Sequence, residues 1–271
     1  MDFYSIHRYM EKKCKISIIT VTFNAEKTIE ETIKNVINQT YSNIEYIIID
    51  GGSTDNTISI IRKYEEYIDK WISEPDKGIY DAMNKGIDYA TGEWINFMNA
   101  GDLFTKNTTI EDVFNYNYLN YDCIYGDRVN KDFVGLYLDK ADPFFSHKRK
   151  FCPRMGFSHQ CTFVKSSIAK KLKFSLNYKI ICDYEMMYEI YQNNGNFLYR
   201  PIPIAICNII DGYSISNFKE IKLEYSRLLG IPQNIRFKIW LKCVCLKNYI
   251  GRFVQKKFHF RLKKKQEYLN N

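Results

Sequence analysis

The chain has 271 residues, 45% of them apolar, with 39 Lys or Arg against 31 Asp or Glu and a net charge of +8. This length can bury one sizeable core, either one large domain or a domain with an appendage. No run of about 18 apolar residues is present, so no membrane-spanning helix is expected. MDFYSIHRYMEKKCK lacks the apolar core of a secretory signal. The eight Cys are scattered without a CxxC pair, the pattern of buried thiols in a reducing cytoplasm. The positive charge is local: residues 236–265 carry eleven Lys or Arg and no acid, leaving 28 basic against 31 acidic residues elsewhere.

After a lead-in over residues 1–14, KISIITVTF (15–23) reads as a buried strand. Ile29, Ile33, Val36 and Ile37 then give the stripe of an amphipathic helix. EYIIID (45–50) is a second strand, closed by Gly51-Gly52-Ser53-Thr54, and Ile58, Ile61 and Tyr64 mark a second helix. A short strand around Trp71 and Ile72 precedes Glu74-Pro75-Asp76-Lys77-Gly78. A third helix follows, with Ile79, Ala82, Met83, Gly86, Ile87 and Ala90 on one face. WINFM (94–98) is a fourth strand, running into Asn99-Ala100-Gly101-Asp102.

Strands apolar on both faces and separated by helices predict an α/β fold with a mostly parallel sheet. Beyond Asp102 the reading is a helix over 109–114 and strands over 122–125, 133–138 and 160–164. A helix over 184–192 and strands over 197–199 and 204–207 follow, then helix from Lys219 onward.

In open parallel sheets, ligands bind at the carboxyl ends of the strands. The first strand ends in Val21-Thr22-Phe23-Asn24 without GxGxxG or GxxxxGK[ST], against a dinucleotide-dependent oxidoreductase or a P-loop NTPase. Thr22 and Asn24 followed by Asp50 suit base and ribose recognition. Turn and helix-cap chemistry is the plainer reading of Asp50, Ser53 and Thr54.

Two stretches, SIITVTFNAEKTIEETIKNVINQTYSNIEYIIIDGGSTDNT and EPDKGIYDAMNKGIDYATGEWINFMNAGD, together resemble the family 2 glycosyltransferases, inverting enzymes with the GT-A fold. The close resemblance covers residues 15–102 and a looser one extends to about 213. It implies a GT-A domain over 15–218, with a nucleotide-sugar half (15–102) and an acceptor half (103–218), and a basic helical extension over 219–271. By resemblance, Thr22, Asn24 and Asp50 lie against the nucleoside, while Asp76, Lys77, Asp81 and Asn84 line the nucleotide-sugar cleft.

By the same resemblance, Asp102 is the acidic group of a metal motif, for Mg²⁺ or Mn²⁺. The family's Asp-x-Asp is here Asn99-Ala100-Gly101-Asp102, two carboxylates short. One carboxylate suffices where substrate phosphates and water complete an oxygen shell. In the family, an acidic residue at a helix start takes the acceptor's proton. Asp183, in Ile181-Cys182-Asp183-Tyr184-Glu185, matches it, with Glu185 as second choice; helix capping is the structural alternative for Asp183. His159 and Gln160, in GFSHQCTFV, are expected to reach the diphosphate or the acceptor.

The implied function is transfer of a sugar, UDP-linked by family habit, to a hydroxyl of a glycan or lipid-linked acceptor in cell-surface polysaccharide synthesis. The basic segment 236–265 interleaves cations with Phe237, Trp240, Tyr249, Phe253 and Phe258, which suits a cytoplasmic membrane surface. No nucleic-acid motif accompanies it. The rival readings are a non-catalytic nucleotide-sugar binding module and a nucleotidyltransferase of similar architecture, which lacks its glycine-rich basic loop here.

Overall fold

The computed structural model describes residues 13–132, 135–142, 156–209 and 217–269, with side chains as far as residue 254. Residues 1–12 of the lead-in, 133–134 of the expected strand over 133–138 and the side chains of 255–265 in the basic segment lie outside that description.

Strands β1 (Ile16–Thr22), β2 (Ile44–Asp50), β3 (Lys70–Ser73) and β4 (Trp94–Phe97) form a parallel half-sheet in the order β3-β2-β1-β4. Helices α1 (Ile29–Ile37), α2 (Thr57–Lys63) and α3 (Ile79–Tyr89) provide the crossovers. Side-chain alternation divides the core between two faces. Ile16, Ile18 and Ile48 pack with Ile29, Ile33, Val36 and Ile61, while Ile19, Val21, Ile47 and Ile49 pack with Met83 and Ile87. Strands buried on both faces carry few polar residues, which is why this half is so legible.

The sheet then changes character. It continues through β8 (Thr162–Lys165), β6 (Cys123–Lys131), β9 (Phe197–Asn208) and the two-residue β5 (Leu103–Phe104), with β7 (Leu136–Asp139) pairing to β6. β8 runs antiparallel to both β4 and β6, whereas β6 and β9 are parallel with register shifts around Asp127. Helices α4 (Thr109–Phe114), α5 (Ser166–Leu172) and α6 (Cys182–Gln192) complete the two layers. α7 (Phe218–Leu228) and the long α8 (Ile235–Leu269) follow.

Several expectations need correction. Residues 197–199 and 204–207 are one strand, because pairing with β6 carries the backbone through Pro201 and Pro203. Gln160 lies in a 3-10 turn (His159–Cys161) before β8 rather than in a strand. Ile79 is exposed, and Tyr80 is the buried member of that turn of α3. α5 is an element the sequence reading did not include. No helix of the described residues is long and apolar enough to cross a membrane.

Candidate active site

Parallel register aligns the ends of three strands: Thr22 lies beside Asp50, and Asp50 beside Ser73. Asp50 is fully buried. Its Oδ2 accepts from the Gly52 and Ser53 amides at 3.1 and 2.9 Å and from Ser73 Oγ at 2.7 Å, while Oδ1 accepts from Ser53 Oγ at 2.5 Å. The carboxylate therefore shapes the loop after β2, the turn chemistry that was the plainer reading of these residues. Asn24, at φ 47°, accepts the Thr54 amide at 2.9 Å, tying the loops after β1 and β2 together.

Thr22 Oγ1 is buried at this edge without a partner. Asp76 accepts the Gly78 amide at 2.8 Å, and its carboxylate lies over Gly51, where a Cβ would come within 2.4 Å of Oδ2. Asp81 accepts the Lys77 amide at 3.0 Å and Lys77 is exposed. Asn84 does not offer its amide to the cleft: Nδ2 donates to the Phe174 carbonyl and Oδ1 accepts the Phe174 amide, both at 2.8 Å.

The turn after β4 is set by α1. Thr32 Oγ1 accepts the Gly101 amide at 2.9 Å and donates to the Asp102 carbonyl at 3.1 Å, and Gly101 sits at φ +100°, where a side chain would be strained. On the other side, the Asn96 amide in β4 donates to the Gln160 and Thr162 carbonyls at 3.0 and 2.9 Å. This draws the 3-10 turn against the Asn99–Asp102 turn.

That juxtaposition joins the two acids singled out from the sequence. Gln160 Nε2 donates to Asp102 Oδ2 at 3.0 Å, and His159 Nδ1 lies 3.0 Å from Asp183 Oδ2. His159 Nε2 is 3.2 Å from Asn99 Nδ2. A proton on Nδ1 satisfies both contacts, with Nδ1–H donating to the carboxylate and Nε2 accepting from the amide. Asp183 Oδ1 accepts from the Tyr80 hydroxyl at 3.1 Å and the Tyr184 amide at 2.9 Å.

Burial opposes charge on both carboxylates. At Asp102 it prevails over the Gln160 hydrogen bond and the nearby His159 and Arg128, raising the pKa. At Asp183 the His159 hydrogen bond, with the Tyr184 amide and Tyr80 hydroxyl, outweighs burial and lowers it. Asp183 is thus kept ionised and oriented from three sides. Glu185 instead accepts from Ser175, and burial raises its pKa. Cys182 donates to the Ser175 and Tyr178 carbonyls, and burial lifts its thiol to about 12.

A cavity of about 260 Å³ opens beside Asp183 and His159, bounded by Arg128 and Asp139 from β6 and β7, Phe157, Gln160 and Tyr225. Arg128 pairs with Asp139 at 2.6 Å, and its Nε is buried without a partner. Tyr80, Asn96, Arg128 and Tyr225 are site residues that sequence reading missed. Tyr80 carried a signal, a polar-tipped aromatic on the helix face next to Asp81; the others depend on contacts between distant segments.

The described residues contain no cluster of three or more His, Cys, Asp or Glu suited to a metal. Two hard oxygen donors do share one turn, the Asp102 carboxylate and Asn99 Oδ1, which is buried without a partner. This small set fits Mg²⁺ or Mn²⁺ where phosphate oxygens and water fill the other positions.

The sequence model of Glycosyl transferase family 2 matches residues 17–172, more than half of the chain. The protein belongs to this family. It is a glycosyltransferase with the GT-A fold.

A PGL/p-HBAD biosynthesis glycosyltransferase of Mycobacterium bovis is 28% identical over 245 residues, covering 86% of this chain and 90% of its own. WfgD of Escherichia coli, a UDP-Glc:alpha-D-GlcNAc-diphosphoundecaprenol beta-1,3-glucosyltransferase, is 26% identical over 251 residues, covering 87% and 92%. Among solved structures, the mannosyltransferase PcManGT of Pyrobaculum calidifontis, in complex with GDP-Man and Mn²⁺, superposes with a TM-score of 0.61 at 17% identity. That match covers 80% of this chain but 66% of the archaeal one, just under two thirds, and is a likeness of fold.

Proposed function

We propose that this glycosyltransferase moves a sugar, with inversion, from a UDP-sugar to a hydroxyl of a glycan or lipid-linked acceptor in cell-surface polysaccharide synthesis, at the inner face of the plasma membrane. The observation that carries the reading is the adjacency of Asp102 and Asp183, each held at 3.0 Å by a neighbouring residue of one turn, next to an open cavity. WfgD supplies the precedent for UDP and for a lipid-linked acceptor.

In this reading the nucleoside lies along the aligned ends of β1–β3, near Thr22, Asn24 and the loop that Asp50 shapes, with Asp76, Lys77 and Asp81 at the mouth. The diphosphate meets the Asn99–Asp102 turn, and Asn84 acts at one remove by fixing Phe174. A divalent cation held by Asp102 and Asn99 would withdraw charge from the departing diphosphate. Gln160 orients the Asp102 carboxylate.

The acceptor occupies the cavity. Its hydroxyl proton passes to Asp183 as the oxygen bonds to the anomeric carbon from the face opposite the diphosphate. The carbon–phosphate oxygen bond breaks, and the nucleoside diphosphate leaves with its electron pair. His159 and Tyr80 hold the base in line.

The test is a thermal-shift screen of UDP-, GDP- and dTDP-sugars with and without Mn²⁺, since a ligand that binds only the native state raises its apparent stability. A shift with UDP-sugars, enhanced by Mn²⁺ and lost in Asp102→Ala, is expected. Folded protein that responds to no UDP-sugar overturns the proposed donor.

A further inference from the structure

α8 presents two unlike faces. Phe237 and Leu241 are buried. On the opposite side Ile235, Ile239, Leu246, Tyr249 and Ile250 are between 52% and 70% exposed. At about 100° per residue these five project within one sector of the helix. Arg236, Lys238 and Lys247 flank that sector and Lys242 falls within it, all four exposed, and residues 235–254 contain no acid.

We infer that this outward face of α8 is a docking surface for an anionic lipid bilayer, with the apolar row entering the headgroup boundary and the flanking cations meeting lipid phosphates. An apolar row edged by cations is the arrangement such an interface selects. Charge complementarity decides between occupants. A second copy of the chain would bring basic flanks together without an acid to offset them, and a nucleic acid would leave the apolar row in water.

The surface is connected to the site through α7. In α7, which leads into α8, Glu224 is 2% exposed and accepts the Lys179 and Ile180 amides at 2.8 and 3.0 Å, just ahead of Asp183. Tyr225 packs edge-on against Tyr184, 4.6 Å between centroids, and lines the cavity. Docking through α8 therefore brings the cavity to the bilayer. The inference rests on the lipid-linked acceptor reading for its purpose, but not for its geometry.

The test is co-sedimentation of the full chain with phosphatidylcholine vesicles, with or without phosphatidylglycerol, at low and high salt. Partition at least about tenfold greater onto the anionic vesicles is expected, weakening with salt. An Ile239→Ser/Ile250→Ser variant should lose it with an unchanged melting temperature, and Lys238→Glu/Lys242→Glu should lose it through charge. Equal partition onto both vesicles, or none, overturns the inference. So does a dimer in sedimentation velocity that the double serine variant dissolves. Transfer to a water-soluble acceptor by the serine variant should match wild type. Absence of transfer in both proteins, with vesicle binding intact, would count against the proposed function and leave the docking surface standing.

Discussion

Replacing Asp183 by Asn separates catalysis from architecture, because the structure shows what the amide can still do. Oδ1 is retained, and with it the acceptor for the Tyr80 hydroxyl and the Tyr184 amide. The new NH₂ faces His159 Nδ1, which must then accept. The imidazole proton moves to Nε2 and points at Asn99, whose amide can rotate to present Oδ1, the atom now lacking a partner. A neutral chain of hydrogen bonds replaces a charged one, at a cost to folding of about 1–2 kcal/mol. Losing the proton acceptor is far more serious for turnover. A general base contributes about 10²- to 10⁴-fold, roughly 3–5 kcal/mol of barrier. Initial rates of sugar transfer, with thermal shift by UDP on the same preparation, resolve the two effects. Turnover should fall by at least about 100-fold while the nucleotide still stabilises the protein. A folded variant within tenfold of wild-type kcat would remove Asp183 as the base, and loss of the nucleotide shift as well would make its role structural.

His159→Phe removes the main group holding the Asp183 pKa below its usual 3.8, so burial prevails and the pKa rises. The acid limb of kcat/KM, at very low pH in the wild type, should move to higher pH; an unmoved limb refutes the coupling. Gly51→Ala places a methyl group 2.4 Å from Asp76 Oδ2 and displaces that carboxylate. Calorimetry should then show nucleotide affinity reduced at least about tenfold, and unchanged affinity would take Asp76 out of the site.

Glu45 lies at the far, amino end of the sheet. Burial disfavours its charge, but hydrogen bonds from Ser17, Thr91 and Lys15 outweigh that and hold its pKa down at about 2, against 4.5 unfolded. Its contribution, about 2–3 kcal/mol, is fully present above pH 4.5 and lost as pH falls through about 2. Urea melts should show Glu45→Gln less stable by that amount at pH 7, with the gap closing toward pH 2 and transfer activity intact; a gap independent of pH would be the contrary result.

The sequence by itself determined the parallel half of the sheet. Continuous apolar runs at β1, β2 and β4, and amphipathic stripes at α1 to α3, admit one arrangement, since strands that are apolar on both faces must be covered by helices. The placement of Asp50 at a strand end, and of Asn99 and Asp102 in the turn after β4, follows from it. Tertiary structure decided which of those side chains reach the cleft. Asp50 and Asn84 carry the residue types of ligand-binding groups, yet their polar atoms are taken up by nearby backbone and hydroxyl groups.

The pairing of His159 with Asp183 and of Gln160 with Asp102 depends on β8 running antiparallel beside β4 and on Asn96 gripping the turn ahead of it. No local periodicity encodes a contact between residues 58 or 64 positions apart. Likewise, composition marked α8 as basic and aromatic, but only its packing through Phe237 and Leu241 fixed which face looks outward. Local pattern sets the elements because it reflects burial on a strand or helix face; the site arises where separate elements meet, and that is settled when they pack.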